Sequence, residues 1–463
     1  MKSLTLLTAI LFAGSLLFST NLVSAQDPDQ DPEEKQEDPF DDDPFFQTPL
    51  QDFLQYEEYE RRAREADSLI TSKRRIDFPP RDITGPSAYP GPADLYPNIP
   101  LALRYNRVDG LFLGIRTRPL HWSPDRGRIM KMYGSIGYGF QSRDWQYSIG
   151  VERLFGYNQN VKFGLLYRNL LVTDDMWRTA PVENSLSAFF AGYDFLDYYN
   201  VEGIQPYMVV RTGPFFEHTL AFKSEDHFST VRKTRYSLFG PRGNMRPNPG
   251  IDEGHIQRFM WTTGFHTGGF VWDERFSLSG EIRAELGDLT WLDSDFAYNR
   301  YEAEVRTDYI LDPSAVLRLR ARGGSSTGVM PVQRNFALGG ISTLRARPYK
   351  SLQGSDMLLI NTELHLSSRH RRERPYVEGF NIDWSEFLLY VFLDAGWIND
   401  PDVPNTVFME GFNEFDIDNI KTDLGVGVSL PIDRMSALRF ELAWPTEDFS
   451  DGPAFWVRFN PTF

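Results

Sequence analysis

Apolar and polar residues alternate with a period of two over most of the chain, beginning at about Leu101. In residues 301–310 (YEAEVRTDYI), mostly apolar positions are separated by single charged residues, and residues 278–286 (LSGEIRAEL) and 317–322 (LRLRAR) repeat the pattern. Successive side chains of a β-strand point to opposite faces, so each segment has one largely apolar and one charged face. The pattern predicts an all-β fold for residues 101–463.

Three features favour a transmembrane antiparallel β-barrel over a soluble β-sandwich, in which strands also alternate. The charged faces carry both signs, as a polar lumen would. The strand segments run to about ten residues, the length at which a tilted strand crosses a bilayer. Tight connections such as 311–314 alternate with long ones such as 230–254, as in barrels with short periplasmic turns and longer external loops.

The alternation defines fifteen strand cores, at 109–118, 130–140, 144–154, 160–170, 203–213, 215–226, 255–266, 275–286, 297–310, 315–324, 356–366, 387–397, 422–431, 436–445 and 454–463. Bacterial barrels usually have an even number of strands. We therefore expect about sixteen, with the missing strand near Phe189–Tyr199. Fourteen strands is the alternative.

The first 25 residues have the pattern of an export signal peptide. Lys2 precedes an apolar run from Leu4 to Phe18, and Val23 and Ala25 occupy the small-residue positions of a cleavage site. We expect cleavage after Ala25 and a mature chain that ends up in a bacterial outer membrane.

Residues 26–100 are expected to form an acidic, Pro-rich periplasmic arm. Residues 26–50 combine many Asp, Glu and Pro with little apolar surface, which predicts disorder. Residues 52–75 are rich in Glu, Arg and Ala, which predicts a short helix, in the periplasm or in the lumen. Pro79 and Pro80 end this helix.

Composition argues against several classes of function. The 48 Lys and Arg against 64 Asp and Glu give a formal net charge of −16, so nucleic acid is not an expected partner. The chain has no Cys, which excludes thiolate metal sites and Cys nucleophiles. Its seven His fall in no metal-binding spacing, and the sequence has no nucleophile elbow or phosphate-binding loop. We therefore expect no enzyme activity, no metal and no cofactor.

The final strand segment has a pattern of its own. Phe455, Val457, Phe459 and Phe463 share one face, and the sequence ends on that last aromatic residue. This is the general form of a C-terminal insertion signal, whose physical basis is an exposed strand edge that another sheet can pair with. A plain closing strand is the alternative interpretation.

Residues 335–366 (NFALGGISTLRARPYKSLQGSDMLLINTELHL) resemble the inward-folded loop and following strand of the BamA/TamA family, also called the bacterial surface antigen family. Other pieces agree in order: YNRVDGL at 105–111, FLDAG at 392–396, LGVGV at 424–428, LRF at 438–440 and WP at 444–445. The resemblance is specific over residues 335–463 and general, in strand pattern only, over residues 101–334. It implies an outer-membrane barrel.

The resemblance also implies a lock at the tip of the loop. Family members carry an Arg-Gly-aromatic tip, and the Arg reaches acidic groups on the inner barrel wall. Here the corresponding Arg is Arg345, Ala346 replaces the Gly, and Arg347 precedes the aromatic Tyr349. Ala adopts positive φ less readily than Gly, so we expect this replacement to affect the backbone conformation of the tip. Arg347 is the alternative carrier of the charge.

The alternation supplies partners for this arginine. Glu363 lies on the polar face of 357–366, and Asp394 lies on the polar face of 389–397. We expect both carboxylates to point into the lumen and to bind the loop tip in a charge-assisted pair. The alternative is that Glu363 and Asp394 are ordinary polar lumen residues that make no special contact with the loop tip.

Two functional hypotheses remain. The resemblance implies insertion, assembly or translocation of proteins or lipids, through a seam between the first and last strands, here placed near Gly110–Arg118 and Phe455–Phe463. The alternative is a plugged structural or passive-pore barrel whose acidic arm docks a periplasmic partner. One feature favours this alternative: no periplasmic repeat domain of the family can be fitted to residues 26–100. The expected partners are outer-membrane lipid and client proteins or a periplasmic partner.

Overall fold

The structure, a computed structural model, describes residues 101–116, 130–155, 160–212, 215–240, 245–266, 275–312, 314–367, 388–401, 403–431, 437–450 and 452–459. The predicted signal peptide (1–25), the arm (26–100) with its helix near 52–75, and Phe463 lie outside the described residues.

Most of the regular structure in the described residues is β-strand. They are β1 (Leu101–Asn106), β2 (Gly110–Arg116), β3 (Lys131–Gly139), β4 (Asp144–Phe155), β5 (Val161–Val172), β6 (Tyr199–Thr212), β7 (Phe216–Ser229), β8 (Gly254–His266), β9 (Phe276–Leu286), β10 (Tyr298–Asp312), β11 (Ala315–Gly328), β12 (Phe336–Leu338), β13 (Leu352–Gly354), β14 (Asp356–Ser367), β15 (Leu388–Asn399), β16 (Lys421–Pro431), β17 (Ala437–Pro445) and β18 (Ala454–Phe459). One α-helix, α1 (Pro181–Ala191), connects β5 to β6, and short 3-10 turns occupy Val332–Arg334, Glu410–Glu414 and Ile417–Asn419.

Sixteen of these strands form one antiparallel sheet in which sequence neighbours are spatial neighbours, while β12 and β13 pair with each other inside the β11–β14 connection. The expected number of strands is confirmed. The predicted position of the missing strand is wrong, because Leu101–Asn106 is the extra strand and pairs with Gly110–Ile115. The first strand of the seam is therefore β1 and not Gly110–Arg118.

Residues 189–198 form the end of a helix and an irregular segment, and the next strand, β6, begins only at Tyr199. Pro181 occupies the first turn of α1, where its missing N–H costs nothing. Gly192 ends the helix in the left-handed region at φ 77°, and its N–H donates to the Ala188 carbonyl at 3.2 Å. The Phe189 side chain in this stretch packs against Tyr105 of β1 and against Tyr236. Among the described residues, no helix is both long enough and apolar enough to cross a membrane.

The burial of the strands is inverted relative to a soluble protein. On β10, the Glu304 side chain is 5% exposed while its neighbour Val305 is 41% exposed. Apolar residues such as Ile115, Met132 and Phe455 are likewise exposed on the other strands. Strands with lipid on one side and a polar lumen on the other have this pattern, whereas a soluble sandwich would bury the apolar face.

Ion pairs between neighbouring strands fill the lumen face. Arg322 on β11 binds Glu302 and, at 2.8 Å, Glu304 of β10. Arg318, also on β11, lies 3.5 Å from Asp308 of β10. A buried charge is tolerated when it is paired and hydrogen-bonded, so these rows of opposite charge allow a polar interior.

Candidate functional site

The connection between β11 and β14 folds back against the inner wall of the sheet. Its short β12–β13 pair carries Leu338, which packs together with Leu344 against Met357 and Leu359 of β14. Gly396 of β15 lies directly beneath these two leucines, since a Cβ at this position would lie 2.8 Å from Leu338 Cδ1. The apolar stem therefore brings the tip of the loop close to the lumen face.

Arg345 at the tip of this loop binds carboxylates from three strands. Its Nε and Nη2 donate to Asp394 Oδ2 and Oδ1 at 2.7 and 2.8 Å. Its Nη1 donates to Glu363 Oε1 at 2.8 Å and to Glu441 Oε1 at 3.5 Å. The arginine is 1% exposed, and all three carboxylates are buried. The structure thus brings together the three predicted residues Arg345, Glu363 and Asp394.

The surroundings of this site compensate its charges further. The Arg345 guanidinium lies over the Phe392 ring, with Cζ 3.5 Å from the ring centroid. Arg439 Nη1 donates to Glu363 Oε2 at 3.3 Å, and Tyr390 donates to Glu441 Oε1 at 2.9 Å. The site therefore holds three carboxylates against two guanidinium groups in a buried volume. Removal of one cation would leave the carboxylates undercompensated.

Sequence reasoning missed Glu441 and Phe392 as members of the site. Both could have been found from alternation, because Glu441 lies on the face of β17 opposite Leu438, Phe440 and Leu442. Phe392 lies on the same face of β15 as Asp394. What the sequence did not reveal was that the loop tip reaches as far as β17.

The other predicted tip residues lie beside the lumen cluster. Ala346 does not adopt positive φ, so an alanine fits at this position without backbone strain, and its N–H donates to Asp423 Oδ2 at 2.8 Å. Arg347 Nε lies 3.3 Å from Asp423, and its Nη2 donates to the half-exposed Glu447 at 2.5 Å. The buried carboxylate cluster is thus bound by Arg345, while Arg347 lies at its rim.

A second anchor joins the loop to the β5–β6 connection. Tyr349 donates to the Phe195 carbonyl, and Lys350 Nζ lies 2.7 Å from both Asp175 and Asp197. Burial by itself would lower the pKa of Lys350, but the carboxylates of Asp175 and Asp197 hold it above its ordinary value. Burial would raise the pKa of Asp197, but Lys350, Arg246 and Arg107 hold it below its ordinary range. Lys350 and Asp197 are therefore both charged at neutral pH.

Sequence comparison identifies the family. Residues 154–460 match the Omp85 superfamily domain, which is about two thirds of the chain. The chain belongs to the Omp85 superfamily. It is a bacterial outer-membrane β-barrel protein. No curated protein sequence matches it.

The chain is only distantly similar to solved structures. BamA from Haemophilus ducreyi lacking POTRA domains 1–3 is 13% identical, with a TM-score of 0.45, over 77% of this chain and 68% of that one. CdiB from Acinetobacter baumannii is 14% identical, with a TM-score of 0.40, over 78% and 58% of the two chains. CdiB from Escherichia coli is 12% identical, with a TM-score of 0.40, over 78% and 61%. Family membership rests on the sequence match alone.

The last described strand of this Omp85 protein lies at one edge of the sheet. β18 pairs with β17, and Phe455 and Val457 are exposed on the lipid face at 60% and 50%. Phe459 is half-buried, whereas Phe463 of the predicted insertion signal lies outside the described residues. Within the described part of the chain, β18 forms no strand pairing with β1, so the sheet has two edges.

Proposed function

We propose that this Omp85 protein inserts, assembles or translocates proteins or lipids at the outer membrane. The observation that carries the proposal is the position of Arg345 between the lumen and the terminal strand. Its guanidinium binds three wall carboxylates, while its own carbonyl accepts a hydrogen bond from Trp456 Nε1 of β18 at 2.8 Å. A loop that is locked in the lumen therefore also restrains an edge strand.

The edges of the sheet supply the chemistry for such a role. An unpaired strand edge presents a row of backbone N–H and C=O groups that another strand can pair with. β1 and β18 are these edges, and the lipid-facing side chains of β18 match the apolar environment of a membrane-inserting client. In this proposal the locked loop restrains β18 as long as no client occupies the edge.

A plugged structural barrel is the second candidate. It is favoured by the filling of the lumen around the loop, where Arg345, Glu363, Asp394 and Glu441 are all buried. In that case the acidic arm at 26–100 would dock a periplasmic partner, and the barrel would carry no client.

Depletion of the protein in its host, followed by quantitative proteomics of the outer-membrane fraction, distinguishes the two candidates. The assembly or transport proposal predicts that several unrelated outer-membrane or surface proteins decrease together, before cell growth slows. An outer membrane that changes only by the loss of this one protein would contradict that proposal and support the plugged barrel.

A further inference from the structure

Helix α1 lies against both edge strands of the open sheet. The backbone N–H of Tyr105, in β1, donates to Ser185 Oγ at 3.3 Å. The backbone N–H of Phe459, in β18, donates to Glu183 Oε1 at 3.1 Å. These two acceptors are two residues apart on one helix. Helix α1 therefore bridges β1 and β18, the two edge strands of the sheet.

The two edge bonds replace part of a missing strand ladder. A buried backbone N–H without a partner costs free energy, and at a sheet edge the usual partner is the next strand. Here side chains of a helix accept those hydrogen bonds. A side-chain acceptor can rotate away without moving a strand, whereas a ladder must separate along its whole length. The contact is therefore suited to repeated opening.

The contact between α1 and β18 is polar and buried. Arg458 Nε and Nη2 donate to Glu183 Oε1 and Oε2 at 2.6 and 3.2 Å, and both side chains are almost fully buried. Thr179 donates to Glu183 Oε2 at 2.7 Å and orients the carboxylate. Glu183 also lies in the first turn of the helix, where a negative charge is favoured by the helix dipole.

The contact between α1 and β1 is mainly apolar. Tyr105 is buried together with Ala188 and Met245, and its ring meets Phe189 edge-on at 5.3 Å between centroids. The Tyr105 hydroxyl donates to the Tyr236 carbonyl at 2.8 Å, which adds the β7–β8 connection to the same side. The helix is thus packed firmly on β1 and held to β18 by one charged group.

The loop tip reaches the same charged group. Arg458 Nη2 donates to Ser342 Oγ at 3.1 Å, and the Ser342 hydroxyl donates to the Arg178 carbonyl at 2.5 Å. Arg178 precedes α1, and Ser342 lies three residues before Arg345 in the loop. Movement of the loop tip would therefore disturb the Arg458–Glu183 pair, and separation of that pair would loosen the loop.

We propose that α1 is a latch across the β1–β18 seam, which opens on its β18 side by separation of Glu183 from Arg458. The inference rests on the proposed function for its biological meaning, because it assigns control of the same edge strands. The helix stays on β1 during opening, since its apolar contacts there do not depend on Glu183. Opening uncovers the edge of β18 for a client strand.

The test is hydrogen–deuterium exchange with mass spectrometry on the full chain in phospholipid nanodiscs. Glu183→Gln keeps the size of the side chain but removes its charge, and it should speed exchange in peptides covering β18 by about tenfold while leaving β1 near the wild-type rate. Ser185→Ala should speed exchange at β1 by a few-fold and leave β18 less affected. Ser187→Ala, on the same helix and outside these bonds, is the matched control and should change neither.

Two results would overturn the latch. Wild-type exchange at β18 in Glu183→Gln would do so, and so would a uniform increase that includes remote strands such as β8 and β9, because that would show general destabilisation. Arg458→Lys decides the question if Glu183→Gln does not fold, because it keeps the positive charge, loses the two-bond geometry with Glu183 and should speed exchange at β18 selectively. The latch and the proposed function can fail independently. Selective exchange at the edge strands supports the latch even if depletion of the protein leaves the outer-membrane proteome unchanged.

Discussion

Arg345 and Asp394 form a two-bond pair between the loop tip and strand β15, with Nε to Oδ2 at 2.7 Å and Nη2 to Oδ1 at 2.8 Å. A planar guanidinium matches a carboxylate in this geometry, whereas the ammonium group of lysine acts as a point charge. The pair is buried, and the same guanidinium also serves Glu363 and Glu441. The geometry of the group, and not its charge alone, therefore holds the loop.

We predict that Arg345→Ala lowers the free energy of unfolding by about 3–5 kcal/mol, because it leaves buried carboxylates undercompensated. Arg345→Lys should recover only part of this loss. The measurement is urea unfolding of the reconstituted barrel, followed by the mobility of the folded form in gels run without heating.

Arg347→Ala is the matched control on the same loop. Arg347 is partly exposed, pairs with the half-exposed Glu447 and lies 3.3 Å from the buried Asp423. Exposed ion pairs contribute about 0–1 kcal/mol, and Arg347 faces one buried carboxylate where Arg345 faces three, so Arg347→Ala should cost clearly less than Arg345→Ala. A loss for Arg347→Ala as large as that for Arg345→Ala would mean that Arg347 carries the lock, which was the alternative drawn from the sequence.

The three carboxylates should differ in importance. Asp394 receives two short bonds from Arg345, while Glu441 lies at 3.5 Å and also accepts from Tyr390. We predict that Asp394→Asn destabilises the barrel more than Glu441→Gln, in the same unfolding experiment. A double-mutant cycle of Arg345→Ala with Asp394→Asn should give a coupling energy of at least about 1 kcal/mol. Additive losses would contradict direct pairing.

Gly396 should be needed for docking of the loop. A Cβ there would meet the ends of Leu338 and Leu344 at 2.8 and 3.2 Å, and both leucines are fully buried. We predict that Gly396→Ala costs about 1–3 kcal/mol by overpacking and makes residues 336–350 accessible to protease. Gly323→Ala on β11 is the control, because its Cβ would find only ordinary contacts at 3.8 Å and beyond. Equal behaviour of the two variants would contradict the close approach of the loop.

The Lys350 anchor should be independent of pH over a wide range. The pKa of Asp197 is lowered, so its contribution is complete above the ordinary value of 3.8 and is lost as the pH falls below it. The pKa of Lys350 is raised, so its contribution is complete below 10.5 and is lost only in more alkaline solution. Hydrogen exchange of residues 339–351 should therefore show the same protection at pH 5, 7 and 9, after correction for the intrinsic rates. A midpoint within this range would contradict the assignment.

The alternation of apolar and polar residues was sufficient to predict the fold and to identify Glu363 and Asp394 as partners of Arg345. Glu363 and Asp394 fall on the polar faces of their strands because a strand has a period of two, and this holds whatever the tertiary structure. Strand β1 escaped notice because LALRYN is short and follows a Pro-rich stretch. The placement of a strand near Phe189–Tyr199 failed because Gly192 ends a helix there, and the aromatic residues pack on β1 and on neighbouring loops.

The long-range part of the site could not be predicted from the sequence. Glu441 and Arg345 are separated by 96 residues, and Glu183 and Arg458 by 275. Local pattern indicates which face a side chain occupies, but it does not indicate how far a loop or a connecting helix extends across the lumen. The contacts of α1 with both edge strands are of this kind, since no periodicity links residues 183 and 185 to the ends of the barrel.

The central claim is that the locked loop is required for the work of this barrel at the outer membrane. Host cells depleted of the protein should be complemented with wild type, Arg347→Ala, Arg345→Lys or Arg345→Ala, at matched amounts of folded barrel, and the outer-membrane proteome measured. We predict that wild type and Arg347→Ala restore the missing proteins, that Arg345→Lys restores them in part, and that Arg345→Ala does not. Full restoration by folded Arg345→Ala would contradict the claim.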